Sequence, residues 1–197
     1  MNIIAVVLLV VWIYVLTLLQ RAGLKYWLFL VGSVGLFVFY VIFIQPYLTQ
    51  PLQSAVAAGS GVLGNATGLY SYDFLYDTLF IPTDEGSLSL YIDYECSGII
   101  EIGTYLAMLI FFPVYNGFEK VVLSISGVLI ILVTNMVRIF IICVMVRTLG
   151  GDVYFYAHTI VGRLFFYGIT ILVYFYVFTK AQVVRQRIGR FRYGLAN

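Results

Sequence analysis

The sequence has few charges. Lys and Arg number 11, Asp and Glu 9, and together they make up 10% of the 197 residues, where a soluble domain carries about a quarter. So few charges cannot cover a water-facing surface. With 62% hydrophobic residues and a mean hydropathy of +1.02, most of the surface must face lipid. Cysteine is nearly absent, and Cys96 and Cys143 are too few for a disulfide framework. The single histidine and scattered Asp and Glu leave little material for a metal site. No P-loop, zinc cluster or nucleic-acid module is present, so no cofactor and no nucleic-acid partner are expected.

Five stretches are long and apolar enough to be read as membrane helices, about 3–19, 26–44, 98–112, 121–142 and 159–179. The third is the shortest. The first lies where a signal peptide would, but it has no basic n-region and no cleavage site, so it is read as an uncleaved helix. The expected fold is an all-α polytopic membrane protein forming one domain over 1–197, with an interfacial helix and a small β-hairpin on its outer face.

Positive charge is missing from a long interval. Between Lys25 and Lys120 there is no Lys or Arg, while Asp73, Asp77, Asp84, Glu85, Asp93 and Glu95 all fall there. The tail, 180–197, carries Lys180, Arg185, Arg187, Arg190 and Arg192. Positive-inside reasoning puts Arg21, Lys25 and the tail in the cytoplasm, and segment 45–97 and the N-terminus outside. A sixth span over 52–70 would break this alternation. That stretch is rich in Gly and polar residues and is read as an interfacial or re-entrant helix on the outer face. The tail is expected to lie against anionic lipid.

Within the outer segment, Thr78–Pro82 and Ser87–Tyr94 alternate as strands, joined through Thr83, Asp84, Glu85 and Gly86. The second strand runs into Glu95, Cys96, Ser97 and Gly98 and then into the third apolar stretch. A cysteine at a helix start meets the positive end of the helix dipole, which favours thiolate, while Glu95 opposes it. The competing reading of Cys96 is a small buried residue.

Two further residues stand out. Arg138 interrupts the fourth apolar stretch, where a charge costs about 2.5–3.5 kcal/mol to insert and marks a functional site by default. It lies roughly 27 Å along the helix from Lys120, near the outer interface, with Asn135 one turn below and able to hydrogen-bond it. The competing reading is a structural partner for Glu101 or a snorkelling side chain. His158, the only histidine, immediately precedes the fifth stretch, where a histidine is more often an interface residue than a catalyst. Alternating helix directions bring Cys96, Arg138 and His158 to one membrane depth. A thiol, a histidine and an arginine together suit acyl transfer: histidine takes the thiol proton and returns it to the leaving amine, and arginine stabilises the oxyanion. Glu101 is expected to suit its helix dipole or to pair with Arg138 or Arg163. Arg163 is placed about 140° around the helix from His158, so it need not face the same site, and Cys143 is expected to be packing.

At these residues the sequence resembles the exosortase/archaeosortase family of membrane-embedded cysteine transpeptidase-like enzymes. The pieces that carry the resemblance are Cys96-Ser97-Gly98-Ile99, Asn135-x-x-Arg138-Ile139, and His158 with Gly162, in the family's order and covering roughly Tyr94 to Phe166. The resemblance implies that Cys96 is the nucleophile, Arg138 the transition-state stabiliser and His158 the acid/base. It implies a membrane-protein substrate with a C-terminal sorting signal: a short motif, a transmembrane helix and a basic tail. That substrate would be cut at the outer face and its new carboxyl end transferred to a surface acceptor, a glycan or a lipid. Larger relatives have more spans and often a basic residue where Glu101 stands, so the chain is similar to a compact member, such as those of Gram-positive bacteria.

Two readings compete. One is a non-catalytic membrane scaffold or polysaccharide-export partner that keeps the three residues structurally. The other, a small transporter with Arg138 and Glu101 lining a path, is disfavoured because the charges gather at one face.

Overall fold

The structure, a computed structural model, describes residues 3–73, 76, 78–83 and 86–183. Helix α1 is Ile3–Arg21. It is followed by α2, Lys25–Thr67; α3, Ile99–Phe111; α4, Gly117–Leu149; and α5, Gly151–Val183. Three of these, α2, α4 and α5, are long and apolar enough to cross a membrane, and α1 and α3 are shorter apolar helices. Between α2 and α3 lie three antiparallel strands in the order β1 (Ser71–Asp73), β2 (Thr78–Thr83) and β3 (Gly86–Tyr91). Asp77, Asp84, Glu85 and the tail residues Arg185, Arg187, Arg190 and Arg192 lie outside the described residues.

Segment 45–67, which holds most of the interfacial or re-entrant helix expected over 52–70, is helical as far as Thr67. It continues α2 directly through a wide π turn, Tyr40–Ile44, placed just ahead of Pro46. Proline lacks the N–H that an α-helical ladder needs, and a π turn relieves the local mismatch. The low helix propensity of the Gly- and Ser-rich stretch is offset by packing. Val56, Ala57, Ser60, Gly61 and Gly64 are buried, and Tyr70 donates to the Ser60 carbonyl at 2.6 Å, tying the sheet to α2. The expected hairpin is present as β2 and β3, paired antiparallel from Thr83 with Gly86 to Thr78 with Tyr91, and the structure adds a strand to it. β1 pairs along β2 in the register Tyr72 to Leu79, and β3 ends at Tyr91 instead of reaching Tyr94. The chain then leaves the sheet for a 3₁₀ turn.

α4 begins with a capping box. Asn116 accepts from the Glu119 N–H, and Glu119 accepts from the Asn116 N–H, both at 2.9 Å. The helix runs well past the expected 142, and Arg147 near its end donates to the Pro82 carbonyl at 2.8 Å. Helix and sheet thus share one core: Val56, Tyr72, Leu79, Ile81, Leu90, Ile92, Cys96, Ile139, Ile142, Cys143 and Val146 are buried together. A second core lies between the helices, built on Tyr105, Leu109, Phe112, Ile131, Phe166 and Phe178. Cys143 is packing, as its apolar surroundings demand. The cores meet on α4, where Ile131 belongs to one and Ile139 to the other. Buried Thr134, Asn135 and Arg138 fill the interval, with buried Ser97 facing the same level of the fold. A polar layer sandwiched between two apolar cores needs a reason, because each unpaired polar group there costs free energy.

Candidate functional site

Cys96 ends the 3₁₀ turn Tyr94–Cys96, which leads to α3 through Ser97 and Gly98. The turn is fixed at both ends. Asp93 accepts from the Tyr94 N–H at 2.7 Å, the Cys96 N–H donates to the Asp93 carbonyl at 2.9 Å, and the Ser97 N–H donates to the Tyr94 carbonyl at 3.1 Å. The Ser97 hydroxyl donates to the Tyr94 carbonyl at 2.7 Å and accepts from the Ile99 N–H at 3.3 Å. Gly98 caps α3 with a left-handed φ of 73°, so the thiol stands just before the helix start instead of on its first turn. A Cβ at this φ costs about 1–2 kcal/mol. Gly98→Ala is expected to lower the unfolding free energy by about that amount, measured as a reduced thermal midpoint of the purified protein.

The Sγ of Cys96 lies 3.1 Å from Nε2 of His158. These groups come from elements that are far apart in sequence. His158 sits in a π-helical segment, Ala157–Gly162, near the start of α5, and its ring stacks on Tyr154 with centroids 5.6 Å apart and planes 23° apart. The stack fixes the imidazole plane, and the contact leaves the ring half-buried at the thiol. Cys96 itself is 2% exposed.

Asn135 and Arg138 lie on the buried face of α4. The Asn135 amide donates a short hydrogen bond to the Cys96 carbonyl, so it holds the backbone of the cysteine turn. This differs from the expected Asn135–Arg138 hydrogen bond: the Asn135 Oδ1 and the Arg138 Nε are both buried without a partner. Arg138, 3% exposed, instead lies over the Phe166 ring at 5.6 Å to the centroid, a cation–π contact that fixes the guanidinium.

Gly162 makes room for that arginine. A methyl there would stand 3.0 Å from Ile142 Cδ1, 3.1 Å from the Ala157 carbonyl oxygen and 3.2 Å from Arg138 Nε. Gly162→Ala is expected to displace the guanidinium by a few tenths of an ångström and to lower turnover about tenfold, with a small change in thermal midpoint. Paired rate and melting measurements check this.

A cleft of about 300 Å³ is lined by Tyr94, Ile100, Glu101, Arg138, Arg163 and Tyr167. Arg163, which need not share a face with His158, lines it together with Arg138. Glu101 shares this cleft with both arginines. Tyr94 accepts from Gln45 Nε2 at 2.8 Å, and burial, with the Glu101 carboxylate beside it, pushes its phenol above the ordinary value. Tyr94, Tyr154 and Tyr167 carried no signal in a sequence with 17 tyrosines, because only the fold singles them out. Among the described residues no group of three or more His, Cys, Asp and Glu side chains is placed to hold a metal ion.

Chemically, the arrangement is a thiol within proton-transfer distance of an imidazole, with a buried guanidinium at the same level of the fold that lines a cleft. No curated protein and no solved structure matches the chain. The family model described as Transmembrane exosortase (Exosortase_EpsH) matches residues 1–175. With apolar helices fit to cross a bilayer and a match over most of its length, this multi-pass membrane protein belongs to the transmembrane exosortase family.

Proposed function

We propose that the chain is a membrane-embedded cysteine peptidase or transpeptidase that cuts exported proteins at a C-terminal sorting signal. The observation that carries this reading is the 3.1 Å contact between Cys96 Sγ and His158 Nε2. In the proposed reaction His158 takes the thiol proton and the thiolate attacks the carbonyl carbon of the scissile peptide bond. The tetrahedral intermediate collapses as the C–N bond breaks, and His158 returns the proton to the leaving amine. The product is a thioester on Cys96. Water, or an amine or hydroxyl of a surface glycan or lipid, then attacks that thioester, with His158 accepting the nucleophile's proton. Arg138 supplies the fixed positive charge for the oxyanion, and Asn135 holds the Cys96 turn in place.

The orientation that supports this role has the N-terminus outside and the basic tail in the cytoplasm, with the site at the outer face. α3 spans only 13 residues, roughly 20 Å, against a hydrocarbon core of about 30 Å. Measured from its cytoplasmic end, Cys96 then falls just inside the outer boundary, beneath the sheet.

The test compares cell-surface proteins in cells carrying the wild-type chain and the Cys96→Ala variant. Proteins with a motif, an apolar helix and a basic tail are expected to keep the tail only in the variant. If Cys96→Ala, Arg138→Ala and His158→Ala cells all process such proteins normally, the chain acts as a non-catalytic subunit instead.

A further inference from the structure

α3 and α5 both pack on α4, and the cleft lies in the gap between them. Its upper end is at Tyr94. Its lower lining is Tyr167, roughly 12 Å further along α5 than His158. Below that level the gap is closed: the Tyr174 hydroxyl donates to the Glu101 carbonyl at 3.4 Å, and the Tyr105 and Tyr174 rings meet at 5.9 Å. At the back is Arg138, almost wholly buried, with its Nε lacking any acceptor. At the rim are Ile100, 40% exposed, and Tyr167, 49% exposed. The recess begins at Tyr94, two residues along the chain from Cys96, and descends along two membrane helices. A ligand whose reacting carbonyl is at Cys96 must run from there into the bilayer.

We infer that this cleft receives the leaving side of the peptide substrate, the few residues that follow the cut as the chain enters the membrane, held extended between α3 and α5. The inference rests on the peptidase reading above and adds to it where the substrate lies and which residues read it. Several observations converge on a peptide segment. A recess of about 300 Å³ suits a few residues of extended main chain better than a helix about 10 Å across. Extended main chain offers unpaired carbonyls, which the partnerless Arg138 N–H needs. Glu101 and Arg163 contribute opposite charges on the two walls. They are assigned as specificity residues that contact the side chains after the cut.

The experiment uses the full-length Cys96→Ala chain in its native membrane, with a photocrosslinking phenylalanine derivative at Tyr167 and, as a control, at Val133, an exposed position on α4. At Tyr167 the expected adduct is with a tailed membrane protein that wild-type cells process and Cys96→Ala cells do not. The crosslink should map to the residues just after the cut. Glu101→Gln and Arg163→Gln are each expected to lower its yield about tenfold, with no effect on labelling at Val133. Equal labelling at both positions, labelling of lipid alone, a crosslink mapping to the retained outer part, or no adduct would overturn the inference while Cys96-dependent processing continued. Capture of a protein whose length does not depend on Cys96 would instead remove the peptidase reading, and the inference with it.

Discussion

Cys96→Ala is expected to reduce cleavage of a tailed substrate by about 10⁴-fold or more, with binding of that substrate retained. Removing the sulfur removes the covalent route altogether, and what remains is positioning of the substrate beside Arg138. The fold should tolerate the change. Cys96 is buried in an apolar core, and the turn around it is held by backbone groups, Ser97 and Asn135, none of which uses the thiol. His158→Ala is expected to cost about 10²–10⁴-fold. Since nucleophile and base act as one unit, the double variant should be little worse than Cys96→Ala alone. Rates with purified protein in bilayers, set beside thermal midpoints, check these values. A purely structural cysteine would show the opposite pattern: lower midpoints and rates scaling with the folded fraction.

Arg138 gives the second large effect, and here stability and activity should move apart. Arg138→Gln is expected to lower kcat by about 10²–10³-fold, the usual cost of losing one oxyanion-stabilising group. Burying a charge without a full set of partners costs free energy. The Arg138 guanidinium has an unpartnered Nε and the Phe166 ring as one neighbour, so the neutral glutamine should leave the thermal midpoint unchanged or raise it. Arg138→Lys keeps the charge but not the planar donors. It is expected to recover only part of the rate, because an ammonium is a point charge without the fixed fork that Gly162 and Phe166 accommodate. If Arg138 were only a structural ion-pair partner, glutamine would lower the midpoint and lysine would restore it.

Much of this site was legible in the residues because each cue rests on strong energetics. Few charges, long apolar runs and a gap in Lys and Arg between positions 25 and 120 leave little choice of medium. An arginine inside an apolar run and a lone histidine at a helix start draw attention for the same reason. What stayed hidden depends on local geometry. The π turn at Ala157–Gly162 has no sequence signature, so α-helical arithmetic does not locate Arg163 in the cleft it lines. The continuation of α2 through Pro46 and Pro51 ran against local propensity and was decided by packing against the sheet and α4. The role of Asn135 was read from spacing along one helix, which favours Arg138. The observed partner, the Cys96 carbonyl, comes from a turn far away in the chain. Burial of Cys96 at 2% exposure also bears on experiment. Slow labelling by a membrane-impermeant thiol reagent would reflect the cover of the sheet and Tyr154 as much as the side of the membrane, so a substrate-dependent readout is needed.

The most direct measurement is capture of the acyl-enzyme. The full-length chain in lipid vesicles is mixed with a tailed substrate that it processes, quenched in acid, and the Cys96 peptide is weighed. The account predicts a thioester on Cys96 carrying the substrate's retained part, released by hydroxylamine as the hydroxamate and absent from the Cys96→Ala variant. Cleavage that proceeds at an undiminished rate in Cys96→Ala, with no adduct on Cys96 in the wild-type chain, would contradict it.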